Sequence, residues 1–140
     1  MGLMLDSSVL IAHEKRRFDL PGFFSSNPNE VFFIAAITAS ELLHGVERAN
    51  TRGLREGRSK FVEDILVRMA ILDFDLAIAR RHAALWANLE KRGQIIGAHD
   101  LQIAATAVEL GYSIATLNKK EFSRVPDLAL AEVTPFVLRR

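Results

Sequence analysis

With 140 residues, a formal net charge of +1, and 49% hydrophobic against 25% charged residues, the chain has the composition of one globular domain able to bury its own core. The near-neutral balance carries no global signature of a nucleic-acid binder, so contacts to phosphate have to come from local patches. Cysteine is absent, which excludes disulfides, thiolate nucleophiles and cysteine-ligated zinc and agrees with a reducing cytoplasmic setting. The longest purely apolar run, residues 31–37, is far short of the roughly 20 residues that span a bilayer, and Asp6 interrupts the first apolar run early. The expectation is a soluble single domain over residues 1–140, without membrane or export signal.

Leu3-Met4-Leu5 reads as a strand ending at Asp6, and Val9-Leu10-Ile11-Ala12 as the helix that follows. Ser7 or Ser8 is placed to cap that helix, which would leave Asp6 free at the strand end. Turn residues at Pro21-Gly22 and residues 25–29 mark a connecting loop. Residues 31–37 (Val-Phe-Phe-Ile-Ala-Ala-Ile) have the pattern of a strand covered on both faces, expected at the centre of a parallel sheet. Thr38-Ala39-Ser40-Glu41 fits a capping box at the start of the next helix, which would employ Glu41 structurally.

Residues 44–60 turn polar and basic, with Arg48, Arg52, Arg55, Arg58 and Lys60 facing Glu47 and Glu56. The pattern suggests helix, turn, helix; its charges form a solvated face or a phosphate-contacting rim. Ile71 to Phe74 is an edge strand or linker. Asp75 caps a long helix with Ile78, His82, Leu85 and Leu89 on one stripe, and Gly93 ends it. A loop then leads into a helix headed by Asp100, whose Leu101, Ala104, Ala105 and Val108 face inward before Gly111 stops it. Tyr112 to Thr116 is a further strand, followed by a polar turn through Asn118 and Glu121 and an anchor at Phe122. Leu128 to Val133 adds a last strand.

Strands alternating with helices indicate an α/β fold, a three-layer sandwich around a mainly parallel sheet. Ligands of such sheets gather beyond the carboxyl ends of the strands. Asp6, Glu41 and the turn from Asn118 to Glu121 all follow strand ends, and Asp100 reaches the same edge if the loop after Gly93 folds over it. Acids converging there without basic partners would repel one another unless a cation bound. Oxygen donors without cysteine or a spaced histidine pair favour Mg²⁺ or Mn²⁺ over zinc. The chemistry indicated is metal-dependent phosphodiester hydrolysis. No phosphate loop, dinucleotide fingerprint, zinc-protease motif or nucleophile elbow occurs. His13, His44, His82 and His99 lack metal-ligand spacing; His82 reads as a packed residue, and His99 can line the acidic edge.

Four blocks in order, Leu5-Asp6-Ser7-Ser8-Val9-Leu10-Ile11, Thr38-Ala39-Ser40-Glu41-Leu42, Ile96-Gly97-Ala98-His99-Asp100-Leu101-Gln102-Ile103-Ala104-Ala105 and Ala115-Thr116-Leu117-Asn118-Lys119-Lys120-Glu121-Phe122, resemble a PIN-domain ribonuclease. The nearest resemblance is to the VapC toxins of bacterial toxin–antitoxin pairs. It implies a Rossmann-like α/β/α fold, Mg²⁺ or Mn²⁺, endonucleolytic cleavage of tRNA or rRNA, a homodimer and inhibition by a VapB-type antitoxin, with DNA contacted only through that antitoxin. The metal-binding acids of the family carry over onto Asp6, Glu41 and Asp100. The fourth position departs: Asn118 stands where some relatives have Asp, and the next carboxylate is Glu121. Ser7, Thr116 and Asn118 are supporting candidates, and the resemblance strengthens the reading of residues 48–60 as an RNA rim. Two other readings stay open: a subunit acting mainly within a DNA-binding regulatory complex, and a housekeeping RNA-processing nuclease.

Overall fold

A computed structural model of the chain describes residues 2–139. The elements in order are β1 (Gly2–Leu5), α1 (Ser7–Glu14), α2 (Leu20–Ser26), β2 (Val31–Ala35), α3 (Ala36–Glu47), α4 (Arg52–Arg68), β3 (Ala70–Leu72), α5 (Leu76–Lys91), α6 (Ala98–Leu110), β4 (Ser113–Ala115), α7 (Lys119–Phe122) and β5 (Ala129–Leu130). The five strands form one sheet in the order β3-β2-β1-β4-β5, and every pairing is parallel.

Alternation along the strands divides the core into two halves. Leu3 and Leu5 of β1, Ile34 of β2 and Ala115 of β4 point into a layer with Val9, Leu10, Phe23, Leu42, Val46 and Ile65 from α1 to α4. Met4, Ala35 and Ile114 point the other way, against Leu85, Leu89, Ile103, Ala104 and Phe122 from α5 to α7. The result is the expected α/β/α sandwich. The alanines at 104, 105 and 107 are fully buried, so α6 lies close against the sheet.

Five local expectations are corrected. The central strand is β1, whose residues are buried throughout and which pairs with both β2 and β4. The apolar run at 31–37 is strand only to Ala35; Ala36 and Ile37 already belong to α3. Helix α3 therefore starts before the supposed capping box, has Ala35 at its N-cap with no side-chain cap bond, and carries Thr38 and Glu41 inside its first two turns. The cap of α1 is Asp6 itself, accepting from the Ser8 N–H at 3.0 Å, rather than Ser7 or Ser8. Asp100 is not a cap either: Gly97 occupies that place and Asp100 sits in the first turn of α6.

Other signals hold. Asp75 accepts from the Ile78 N–H at 2.9 Å and caps α5. Gly111 ends α6 in the left-handed region at φ 71°, where a side chain would be strained. His82 packs edge-on to Phe74 and Trp86. Among the described residues, no helix is long and apolar enough to cross a membrane.

Because β2 and β4 lie on opposite sides of β1, the strand order reverses there, and a crevice opens beyond the carboxyl ends of β1 and β4. Asp6 follows the one and Thr116 the other.

Candidate active site

Asp6 is 3% exposed, yet both its carboxylate oxygens are satisfied. Oδ1 accepts from the backbone and the hydroxyl of Ser8, and Oδ2 accepts from the Thr116 hydroxyl at 2.6 Å. Ser8 Oγ in turn accepts from the Leu117 N–H at 2.9 Å, and Thr116 Oγ1 from the Asn118 N–H at 2.9 Å. This lattice ties the end of β1 to the turn after β4 and holds Asp6 in one orientation. Burial pushes the Asp6 carboxyl above its ordinary range, while the bonds from Ser8 and Thr116 pull it down. Thr116 fills its expected supporting place. For the serines the expectation is corrected: Ser8, not Ser7, makes these bonds. The signal was available in the spacing, because a residue two after an N-cap acid has its N–H and hydroxyl within reach of that carboxylate.

Asp100, at the start of α6, meets the turn after β4 through Asn118, whose side-chain amide donates to Asp100 Oδ2 at 3.1 Å and to Glu121 Oε2 at 3.2 Å. Asn118 thus acts as a clamp between two carboxylates. Burial, the charge of Asp6 and then the hydrogen bond and charge of Glu121 push Asp100 up to about 6. Asp6, Asp100 and Glu121 therefore act on one another as one electrostatic unit. The loop after Gly93 does fold over this edge: Arg124 donates to the Ile95 carbonyl, and Arg92 donates to the Arg124 carbonyl at 2.7 Å. A Cβ on Gly97 would lie 3.7 Å from Asp100 and 3.9 Å from Glu121, so the loop closes directly on the acids.

Glu41 approaches from α3. Its Oε2 lies 3.5 Å from Nδ1 of His99, the residue before Asp100, which links α3 to the mouth of α6. Its other oxygen, Oε1, is buried with no hydrogen-bond partner. Among the described residues, no three His, Asp or Glu side chains are drawn together as a ready ligand set. Asp6, Asp100 and Glu121 act on one another, and Glu41 is linked to them through His99.

The basic stretch divides. Arg48 and Arg58 line a cleft of about 500 Å³ that also contains Glu41, Lys15 and His44. Arg58 also donates to the Gly45 carbonyl at 3.0 Å. Arg52 and Arg55 are engaged in exposed ion pairs with Glu56 and Glu47 at 3.1 and 2.8 Å. Lys60 lines a neighbouring groove beside Ser40, His44 and Arg55. Lys15, outside the expected rim, was missed because it ends α1, far from the basic stretch in sequence.

A PIN-domain family model matches residues 3–128. The ribonuclease VapC of Rickettsia bellii (strain RML369-C) is 36% identical over 133 residues, 95% of this chain and 97% of that protein. The tRNA(fMet)-specific endonuclease VapC of Shigella flexneri is 30% identical over 126 residues, 89% of this chain and 92% of its own. Among solved structures, VapBC2 of Rickettsia felis bound to a DNA fragment from their promoter matches with a TM-score of 0.82 at 29% identity, covering 94% of this chain and 98% of that one. The fold, the acids at the switch point and these likenesses agree, and the chain belongs to the PIN-domain family, with the VapC-type ribonucleases.

Proposed function

We propose that the protein is a metal-dependent endoribonuclease, the toxin of a type II toxin–antitoxin pair, working at a Mg²⁺ or Mn²⁺ site formed by Asp6, Glu41 and Asp100 with Glu121 as the fourth acid. The observation that carries this reading is the gathering of acids beyond the ends of β1 and β4: Asp100 and Glu121 share the Asn118 amide, and burial, Asp6 and Glu121 push Asp100 up to about 6. An all-oxygen donor set and a buried, unpartnered Glu41 Oε1 fit a hard divalent cation. When bound, such a cation supplies a lowered pKa for its water and Lewis-acid stabilisation of phosphate oxygens.

The chain's own residues do the rest. Ser8 and Thr116 fix the Asp6 carboxylate, Asn118 donates to both Asp100 and Glu121, and Arg124 pins the loop that closes beside these acids. Because the acids repel a phosphodiester, substrate has to be held by nearby cations, and Arg48, Arg58 and Lys15 share the cleft that contains Glu41. The substrate class is RNA, with tRNA favoured by the Shigella relative and rRNA as the other family target. A VapB-type antitoxin is the expected protein partner and a homodimer the expected assembly; DNA would be contacted through the antitoxin, as the promoter-bound Rickettsia felis complex suggests. Cleavage of RNA in Mg²⁺ or Mn²⁺, with EDTA, Asp6→Asn and Asp100→Asn as controls, tests the reading. Full cleavage by either variant would reject the site.

A further inference from the structure

Two helical threonines of this chain are buried to the same degree and behave differently. Thr106 of α6 is 2% exposed and donates to the Gln102 carbonyl one turn back at 2.8 Å, the usual way a buried helical hydroxyl is satisfied. Thr38 of α3 is 0% exposed, and its Oγ1 has no hydrogen-bond partner. A buried hydroxyl without a partner costs about 1–3 kcal/mol, so such a group calls for a reason. The reason lies three residues on. Positions i and i+3 share a helix face with Cβ atoms about 5–6 Å apart, and position i+3 here is Glu41, whose Oε1 is the other unpartnered atom on this helix.

We infer that Thr38 is a positioning residue for Glu41, its hydroxyl and Glu41 Oε1 sharing one bridging water that aims the carboxylate at the crevice. Both atoms are closed off from bulk solvent and neither bonds the other, and two such groups on one helix face offer the kind of paired contacts that a buried water needs. Nδ1 of His99 lies 3.5 Å from the outer oxygen, and Thr38 would orient the inner one through that water. The supporting bonds that Ser8 and Thr116 give Asp6 are thereby matched on α3. This inference rests on the metal-site reading above.

The test compares Thr38→Val, which keeps the shape and removes the hydroxyl, with Thr38→Ser, which keeps the hydroxyl, in the full chain. Three quantities are read: cation-free Tm, Mn²⁺ binding by calorimetry, and kcat and KM on RNA. Thr38→Val should melt no lower than wild type, bind Mn²⁺ roughly 10-fold more weakly and lose roughly 10-fold in kcat, the size typical of a supporting partner of a metal ligand, with KM unchanged. Thr38→Ser should stay within about threefold of wild type in both. Mn²⁺ affinity and kcat of Thr38→Val equal to wild type, a lowered Tm that marks the hydroxyl as a packing element, or a Thr38→Ser as impaired as Thr38→Val would each overturn the inference. Wild type binding no Mn²⁺ would overturn the metal-site reading along with it.

Discussion

The two walls of the crevice are built on different principles. On the β1–β4 wall both oxygens of Asp6 are held, by Ser8 and Thr116, and one oxygen each of Asp100 and Glu121 shares the amide of Asn118. On the α3 wall Glu41 has one contact, to a histidine whose side chain is 53% exposed, and leaves Oε1 and the neighbouring Thr38 hydroxyl unpartnered. A satisfied wall fixes geometry before anything binds. An unsatisfied one retains affinity, because buried groups lacking partners gain most when a ligand supplies them. In the metal-site reading proposed above, Asp6 and Asp100 of the first wall would hold a cation in a fixed geometry and Glu41 of the second would complete the set.

The largest effect expected from breaking this comparison is on catalysis. Asp6→Asn and Asp100→Asn should each lower RNA cleavage by more than the roughly 10–100-fold lost when a mere supporting partner is removed, as gel assays with Mn²⁺ would show. Ser8→Ala should cost roughly 10-fold in kcat by freeing Asp6, whereas Ser7→Ala should stay within about twofold. A Ser7 variant as impaired as Ser8→Ala would contradict the first wall as described.

Stability should move in the opposite direction from activity. With Asp100 pushed up to about 6 against an ordinary carboxyl value near 4, its favourable contribution to folding is present below about pH 4 and disappears as pH rises through about 6. Without cation, Asp100→Asn should therefore melt close to wild type below about pH 4 and increasingly above it from there to pH 7. A gap that closes rather than widens with pH would reject the uncompensated-charge picture. Asn118→Asp replaces the clamp with a third charge and should lower the cation-free Tm at pH 7 by roughly 3–8 °C, with Mn²⁺ restoring most of it. The smallest effects are expected on the rim. Arg48→Ala and Arg58→Ala should raise KM a few-fold and each reduce the salt dependence by about one phosphate contact, while Arg52→Ala and Arg55→Ala, already paired with Glu56 and Glu47, change little.

Much of this was legible in the chain because the acids stand at punctuated places. Asp6 ends an apolar run, Gly111 and Phe122 bracket the last site strand, and Asp75 announces α5, so the three-layer fold and the acid positions follow from local patterns. What could not be read was set by contacts distant in sequence. The run at 31–37 hides a switch from strand to helix at Ala36, since a buried strand and a buried helix turn are both apolar. That shift alone turned an apparent capping box into a helix face carrying Thr38 and Glu41. The centrality of β1 depends on pairing with β4 more than a hundred residues later. Asn118 reads as a weakened acid position until the tertiary fold shows its amide between Asp100 and Glu121. The pairing of Arg52 with Glu56, by contrast, was visible in its i, i+4 spacing.

The central claim is that an acidic crevice, incomplete in charge, becomes a nuclease site when a divalent cation binds. The most direct measurement titrates Mn²⁺ into the full chain at pH 7 by calorimetry while cleavage of a defined tRNA is followed along the same titration. The account predicts that binding and cleavage rise together, that EDTA reverses both, and that Asp100→Asn abolishes both. Cleavage that persists in EDTA, or Mn²⁺ binding undiminished in Asp100→Asn, would contradict it.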